Sequence, residues 1–181
     1  MIIESFIAEL EGRSLTGYVP HLDGGPVESG VTVASGFDIG QRSVDELDDA
    51  FSCGLADKLS RYVGATGGEA VQILARYPLR ITERECGIIN EFAHTQAVQR
   101  LLDDWPRSAI PFECLADECQ TVIMSVAFQY GDLPTRTPNF WRQVTTGDWV
   151  GALRNLRDFG DAYPTRRNKE ADLLEKRMRS L

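Results

Sequence analysis

Residues 13–41, RSLTGYVPHLDGGPVESGVTVASGFDIGQ, form a Gly-, Ser-, Thr- and Val-rich stretch between flanks that read as helix. A chain built this way has room for one small sheet and must bury it against helices, which rules out both a helix bundle and a large β-sandwich. The turn signals Asp23-Gly24-Gly25-Pro26 and Ser29-Gly30 predict a short hairpin or a small irregular sheet. Upstream, Ile2, Ile3, Phe6, Ile7 and Leu10 recur at helical spacing, with Gly12 as the stop.

After Gln41 helical signals continue almost to the end. Ser43 can cap a helix whose first turn carries Asp45 and Glu46 and whose apolar face is Val44, Leu47 and Phe51. Glycines and Tyr77-Pro78 punctuate short helices expected near 55–63 and 68–76. Thr82 and Glu85 have capping-box spacing before a long amphipathic stretch with Ile88, Ile89, Phe92, Val98, Leu101 and Leu102, ended by Trp105-Pro106. Leu115 to Tyr130 is apolar on nearly every side, so it is the predicted central helix, and Gly131 stops it. Shorter helices are expected near 138–145, 148–158 and 166–179. The fold class is therefore α+β, mostly α: a small β-containing lobe at about 13–60 and a larger helical lobe at about 61–181 joined by helix 1–11.

With 181 residues and 43% hydrophobic content, the chain can build a real core. Its formal charge of -8 argues against nucleic acid, whose phosphate backbone calls for a basic surface. No run of about 18 apolar residues exists, so no membrane insertion is expected. MIIESFIAELEG places acids where a secretory signal needs Lys or Arg, so no signal peptide is expected. Cys53, Cys86, Cys114 and Cys119 contain no CxxC pair, and only His21 and His94 could assist them, so no metal and no cofactor are expected. Buried free thiols are the expected state of the cysteines, with one long-range disulfide as the alternative.

Chemistry concentrates in the Gly-punctuated run. Gly30, Gly36 and Gly40 suggest tight turns or close backbone approach, and Thr32, Ser35 and Asp38 are polar groups within the strand-like stretch. Glu11 stands where the first helix meets the β lobe, a place where a cleft would open. A Glu and an Asp across a cleft suffice in principle to hydrolyse a glycosidic bond, one carboxyl donating a proton and the other staying ionised. The bland reading is a solvated acid at a helix end and an ordinary polar strand.

Glu11-Gly12 after an amphipathic helix, followed by a Gly-punctuated β segment, resembles the opening of phage-type lysozymes of the T-even and lambdoid kind. Gly17-Tyr18-Val19-Pro20 and the run from Ser29 to Gln41 resemble still more closely the muramidase domain of the pesticin type and related toxin effectors. Ser125 to Gly131, Thr146 to Leu153 and Arg166 to Leu174 are similar to the family's central-helix and C-terminal motifs. The resemblance implies a single lysozyme-like domain over 1–181, with two lobes. It implies Glu11 as general acid, Asp38 as second carboxylate and Thr32 as the hydroxyl that places water, with Tyr18, Ser35, Gln129 and Arg166 touching substrate. In T-even lysozymes the aspartate precedes the threonine, so Asp23 is a rival to Asp38, and Glu9 is a rival to Glu11. Arg166-Arg167 could instead be a solvated helix start, His21 a surface residue, and Trp141 and Trp149 packing residues.

The implied activity is a muramidase cleaving the N-acetylmuramic acid–N-acetylglucosamine β-1,4 bond, as an antibacterial effector or phage-derived lysin. The implied partners are peptidoglycan glycan strands and an immunity protein, and a monomer is expected. The expected localisation is synthesis in the cytoplasm and action on the wall in the periplasm of a target or host bacterium. A non-catalytic peptidoglycan-binding domain with the same fold is the alternative, and an unrelated helical interaction protein is a third.

Overall fold

The computed structural model describes residues 1–20 and 29–180. The elements run α1 (Glu4–Leu10), β1 (Ser14–Tyr18), β2 (Thr32–Ala34), β3 (Phe37–Asp38), α2 (Val44–Ala50), α3 (Cys53–Ser60), α4 (Gly67–Arg76) and α5 (Glu83–Asp104). They continue through α6 (Asp117–Tyr130), α7 (Leu133–Arg136), α8 (Pro138–Thr145), α9 (Trp149–Arg157) and α10 (Pro164–Met178). Short 3-10 turns cover Ile39–Gln41 and Phe112–Cys114. The α+β, mostly α expectation holds. Two compact units make up the chain: Glu11–Ala93, and Met1–Leu10 with His94–Leu181.

In the first unit the strands pair antiparallel in the order β1-β2-β3. Val33 pairs with Phe37 across the β2–β3 turn, whose Ala34 has a left-handed φ of 56°. Val31, Val33, Phe37 and Ile39 face Leu47, Phe51, Leu55, Leu59, Ile81 and Ile89 in one core. Phe37, Phe51 and Phe92 meet edge to face, with centroids 5.1–6.2 Å apart. The caps read from the sequence are present: the Ser43 hydroxyl accepts from the Glu46 amide at 3.1 Å, and Thr82 and Glu85 cap each other's amides at 2.7 and 3.2 Å. Val44 is 45% exposed, so of the expected apolar face Leu47 and the C-cap residue Phe51 are buried and Val44 is not. Residues 61–93, which the composition placed with the helical lobe, pack with the strands instead. The reason is that α4, the Leu79–Ile81 segment and the start of α5 join α2 and α3 in covering the apolar side of this small sheet.

In the second unit α6 is the central helix, buried without interruption from Cys119 to Ala127. Gly131, at φ 71°, ends it. A helix buried on all sides must satisfy its polar side chains internally. Thr121 donates to the Asp117 carbonyl at 2.6 Å and accepts from the Ile3 amide at 2.9 Å, and Gln120 donates to the Leu115 carbonyl at 2.7 Å. The sequence reading missed α7. Its signal is Asp132, which caps the Thr135 amide at 3.0 Å, followed by Pro134 in the first turn. Ile88 and Leu102, 37% and 41% exposed, lie off the buried stripe of α5, which runs through Cys86 and Ile89 in one unit and Leu101 in the other. Trp141 and Trp149 pack against the core of the helical unit, as expected.

Arg166 and Arg167 are not a solvated helix start. Arg167 is 1% exposed, and its Nε donates to Asp161 Oδ2 at 2.8 Å, with further bonds to the Glu170 carboxylate and Gln129 Oε1. Arg166 donates to the Ser125 carbonyl at 2.8 Å and to Glu170 Oε1 at 3.2 Å, and the Ser125 hydroxyl donates to the same carboxylate. The network ties α10 to α6. Burial opposes the charge on Asp161, but the Tyr130 hydroxyl, the Tyr163 amide and Arg167 outweigh it and hold the carboxyl below its ordinary range. Its stabilising contribution is therefore present above about pH 4 and is lost as pH falls through the native value. Arg167→Met is expected to cost about 3–5 kcal/mol in urea unfolding, because it leaves the fully buried Glu170 short of its counter-charge. A cost under about 1 kcal/mol would show that this network carries no such load.

All four cysteines are free. Cys86 and Cys119 are buried as expected, and burial pushes the Cys119 thiol up to about 11. Cys53 and Cys114 are exposed instead, the first at the start of a surface helix and the second in a 3-10 turn. A thiol–disulfide exchange reagent should modify Cys53 and Cys114 rapidly in the native protein and Cys86 and Cys119 only on unfolding. Peptide mapping after a short pulse checks this, and early labelling of Cys119 would contradict it. Among the described residues, no helix is long and apolar enough to cross a membrane.

Candidate active site

The sheet unit brings three of the sequence-selected residues into one row. Tyr18 on β1 is the register partner of Thr32 on β2, and Thr32 is the partner of Asp38 on β3. Partners in an antiparallel pair project from the same face, so a phenol, a hydroxyl and a carboxylate line up across the strands. Thr32 is 3% exposed, and its hydroxyl donates to the Gly30 carbonyl at 3.2 Å. Tyr18 is 40% exposed; burial of part of its ring and then the negative charge of Asp38 push its hydroxyl above the ordinary range.

Asp38 is held by main chain. Both its oxygens lie 3.1 Å from the Gly30 amide, and Oδ1 also accepts from the Gly40 amide at 3.0 Å, capping the 3-10 turn. The cradle exists because residues 30 and 40 have no side chains. A Cβ on Gly30 would stand 2.5 Å from the Gly40 Cα and 2.6 Å from Asp38 Oδ1, and one on Gly40 would stand 2.5 Å from the Ala65 carbonyl oxygen. Neighbouring chain segments lock this geometry, with Gly30 bridged to Thr66 and the Gly64 amide donating to the Gly40 carbonyl at 3.2 Å. Gly30→Ala and Gly40→Ala should each destabilise by about 2–4 kcal/mol, since backbone rather than a flexible side chain must give way. Thermal melts check this; two variants as stable as the parent would mean the cradle is loose.

Glu11 is half-buried, one residue beyond α1 at the start of the sheet unit. Its rival Glu9 is exposed and accepts from Lys169 Nζ at 2.7 Å, which lowers its pKa, the wrong direction for a proton donor. Asp23, the rival second carboxylate, and His21 lie outside the described residues. Ser35 falls in the β2–β3 turn, outside the row, with its amide donating to Asn90 Oδ1 at 3.1 Å. Asn90 was not singled out from the sequence. Gln129 and Arg166 belong to the helical unit, where their hydrogen bonds join α6 to α10. The spacing of Glu170 from Arg166 and Arg167 is that of helical ion pairs and was readable as such; its complete burial was not.

Comparison with solved structures places this fold among the lysozymes. The active form of the P1 phage endolysin Lyz superposes with a TM-score of 0.55 at 16% identity, covering 96% of this chain and 83% of that one. At that identity the likeness shows the fold. No curated protein sequence matches the chain. A family model described as "Pesticin: Bacterial toxin homologue of phage lysozyme, C-term" matches residues 1–150 of the 181. Because that match takes in the whole sheet unit and most of the helical one, the chain belongs to the pesticin family of bacterial toxin homologues of phage lysozyme.

Proposed function

We propose that this protein is a peptidoglycan hydrolase that cleaves the β-1,4 bond between N-acetylmuramic acid and N-acetylglucosamine. The observation that carries the reading is the Tyr18–Thr32–Asp38 row, with a carboxylate fixed in a glycine cradle, in a chain of this family. Glu11 donates its proton to the glycosidic oxygen as the bond to the sugar's anomeric carbon breaks. Asp38 remains a carboxylate beside the developing positive charge. The Thr32 hydroxyl spends its hydrogen on the Gly30 carbonyl, which leaves its lone pairs as acceptors for the water, and that water passes its proton to Asp38 as it adds to the anomeric carbon. Tyr18 and Ser35 are the proposed substrate contacts of the sheet unit. Gln129 and Arg166, given as contacts by the resemblance, act here through the α6–α10 network that positions them.

The charge of -8 supports a protein delivered to the wall, as an effector or a lysin, since an acidic surface gains nothing in approaching anionic cells from outside. We read it as a monomer made in the cytoplasm and acting in the periplasm, with an immunity protein as its second partner. One observation favours the non-catalytic alternative: the Asp38 oxygens already serve as a structural cap. Digestion of purified peptidoglycan with analysis of the released ends decides between them. New reducing N-acetylmuramic acid ends are expected; sedimentation with the wall and no release would leave a binding domain.

A further inference from the structure

The sheet unit carries a pocket of about 560 Å³ at the C-terminal ends of α3 and α4, built from Asp57, Lys58, Arg61, Arg76, Tyr77 and Arg80 among others. None of the residues assigned to hydrolysis lines it. Four cations face one carboxylate there, in a protein whose formal charge is -8. Lys58 is paired with Glu85. Among the described residues Arg61, Arg76 and Arg80 make no ion pair.

Stabilising the helix ends accounts for only part of this charge. Lys58 and Arg76 sit in the last turns of α3 and α4, where a cation complements the helix dipole. Arg61 is the C-cap residue of α3, and Arg80 lies outside every helix. The Tyr77 ring gathers the charge further: the Arg61 guanidinium stands 4.2 Å from its centroid and that of Arg76 5.3 Å. Two guanidinium groups against one ring repel each other, and a bound anion beside them would offset that repulsion. The volume, about 560 Å³, is large enough for a small phosphorylated ligand.

We propose that this pocket binds a phosphate-bearing ligand through Arg61, Arg76 and Arg80. A phosphate group, with about 1.5 to 2 negative charges and three acceptor oxygens, matches several guanidinium forks, whereas a single carboxylate neutralises one. A free phosphorylated small molecule and the phosphates along an anionic polymer offer the same chemistry, and the probes separate them.

Titration calorimetry of the full chain in dilute buffer would use pyrophosphate, poly(glycerol phosphate) and citrate. Saturable binding of pyrophosphate, tighter than citrate, is expected. The Arg61→Gln/Arg76→Gln double variant should weaken it by about tenfold or more. Arg107→Gln/Arg154→Gln, which removes the same charge from exposed positions outside the pocket lining, should change it by less than about threefold. Tighter binding of the polymer per phosphate, displaced by pyrophosphate, identifies a polymer as the source; binding of pyrophosphate alone identifies a small molecule. No saturable binding of either phosphate probe up to about 10 mM would overturn the proposal. So would equal losses in the two double variants, or citrate bound as tightly as pyrophosphate. Arg80→Gln repeats the test if the double variant melts early.

Discussion

Glu11→Gln is expected to fold like the parent and to lose muramidase activity by about 100- to 10,000-fold, the usual contribution of a positioned general acid. In barrier terms this is about 3–5.5 kcal/mol, while the substitution preserves size and shape at a half-buried position. Gln cannot give a proton to the leaving oxygen, so the loss should fall on turnover rather than on retention by the wall. Glu9→Gln is the paired control. Glu9 is exposed and bonded to Lys169, and an exposed pair of this kind is worth about 0–1 kcal/mol. That variant should therefore lyse peptidoglycan nearly as the parent does. Release of soluble fragments by purified proteins, with circular dichroism and melts alongside, reads both. A well-folded Glu11→Gln protein with normal lysis would remove Glu11 from the chemistry, and a selective loss in Glu9→Gln would move the acid there.

The glycine cradle of the candidate site was legible in the sequence because local chemistry marks it. The glycines at 30 and 40 stand out in a strand-like run, and they prove to be where main chain passes at 2.5–2.7 Å from a would-be side chain. Ser43 and the Thr82–Glu85 pair were legible for the same reason: a cap is a contact over three residues. The central place of α6 could be read because its apolar residues leave no polar face. What could not be read depends on partners distant in the chain. The apolar residues of α4 and the start of α5 look the same whether they cover a sheet or other helices, so the unit boundary at Ala93 was invisible. Likewise Arg167 at a helix start looks solvated until Asp161, Gln129 and Glu170 are known to converge on it. Cys53 and Cys114 show the same limit, since residue type predicts burial only on average.

Asp38→Asn should be nearly as inactive as Glu11→Gln, and unlike that variant it should also be less stable. On the proposed mechanism the carboxylate has two jobs that an amide cannot both perform. As a charge beside the reacting carbon it has no substitute in a neutral amide, so a loss of about 100-fold or more is expected. As a cap it accepts from Gly30 through both oxygens and from Gly40 through Oδ1. An asparagine can keep its oxygen at the Oδ1 position, but its NH2 then stands where Oδ2 was, a donor facing the Gly30 amide. One unfavourable pairing of this kind costs about 1–2 kcal/mol. For a chain of this size that is a fall of roughly 2–8 °C in melting temperature. Assayed well below the melting point, the protein remains folded, so activity lost there reports the chemistry and not the cap. Asp23→Asn, made in parallel, should keep most activity. Lysis retained by Asp38→Asn and lost by Asp23→Asn would reduce Asp38 to a structural cap and transfer the second carboxylate to Asp23.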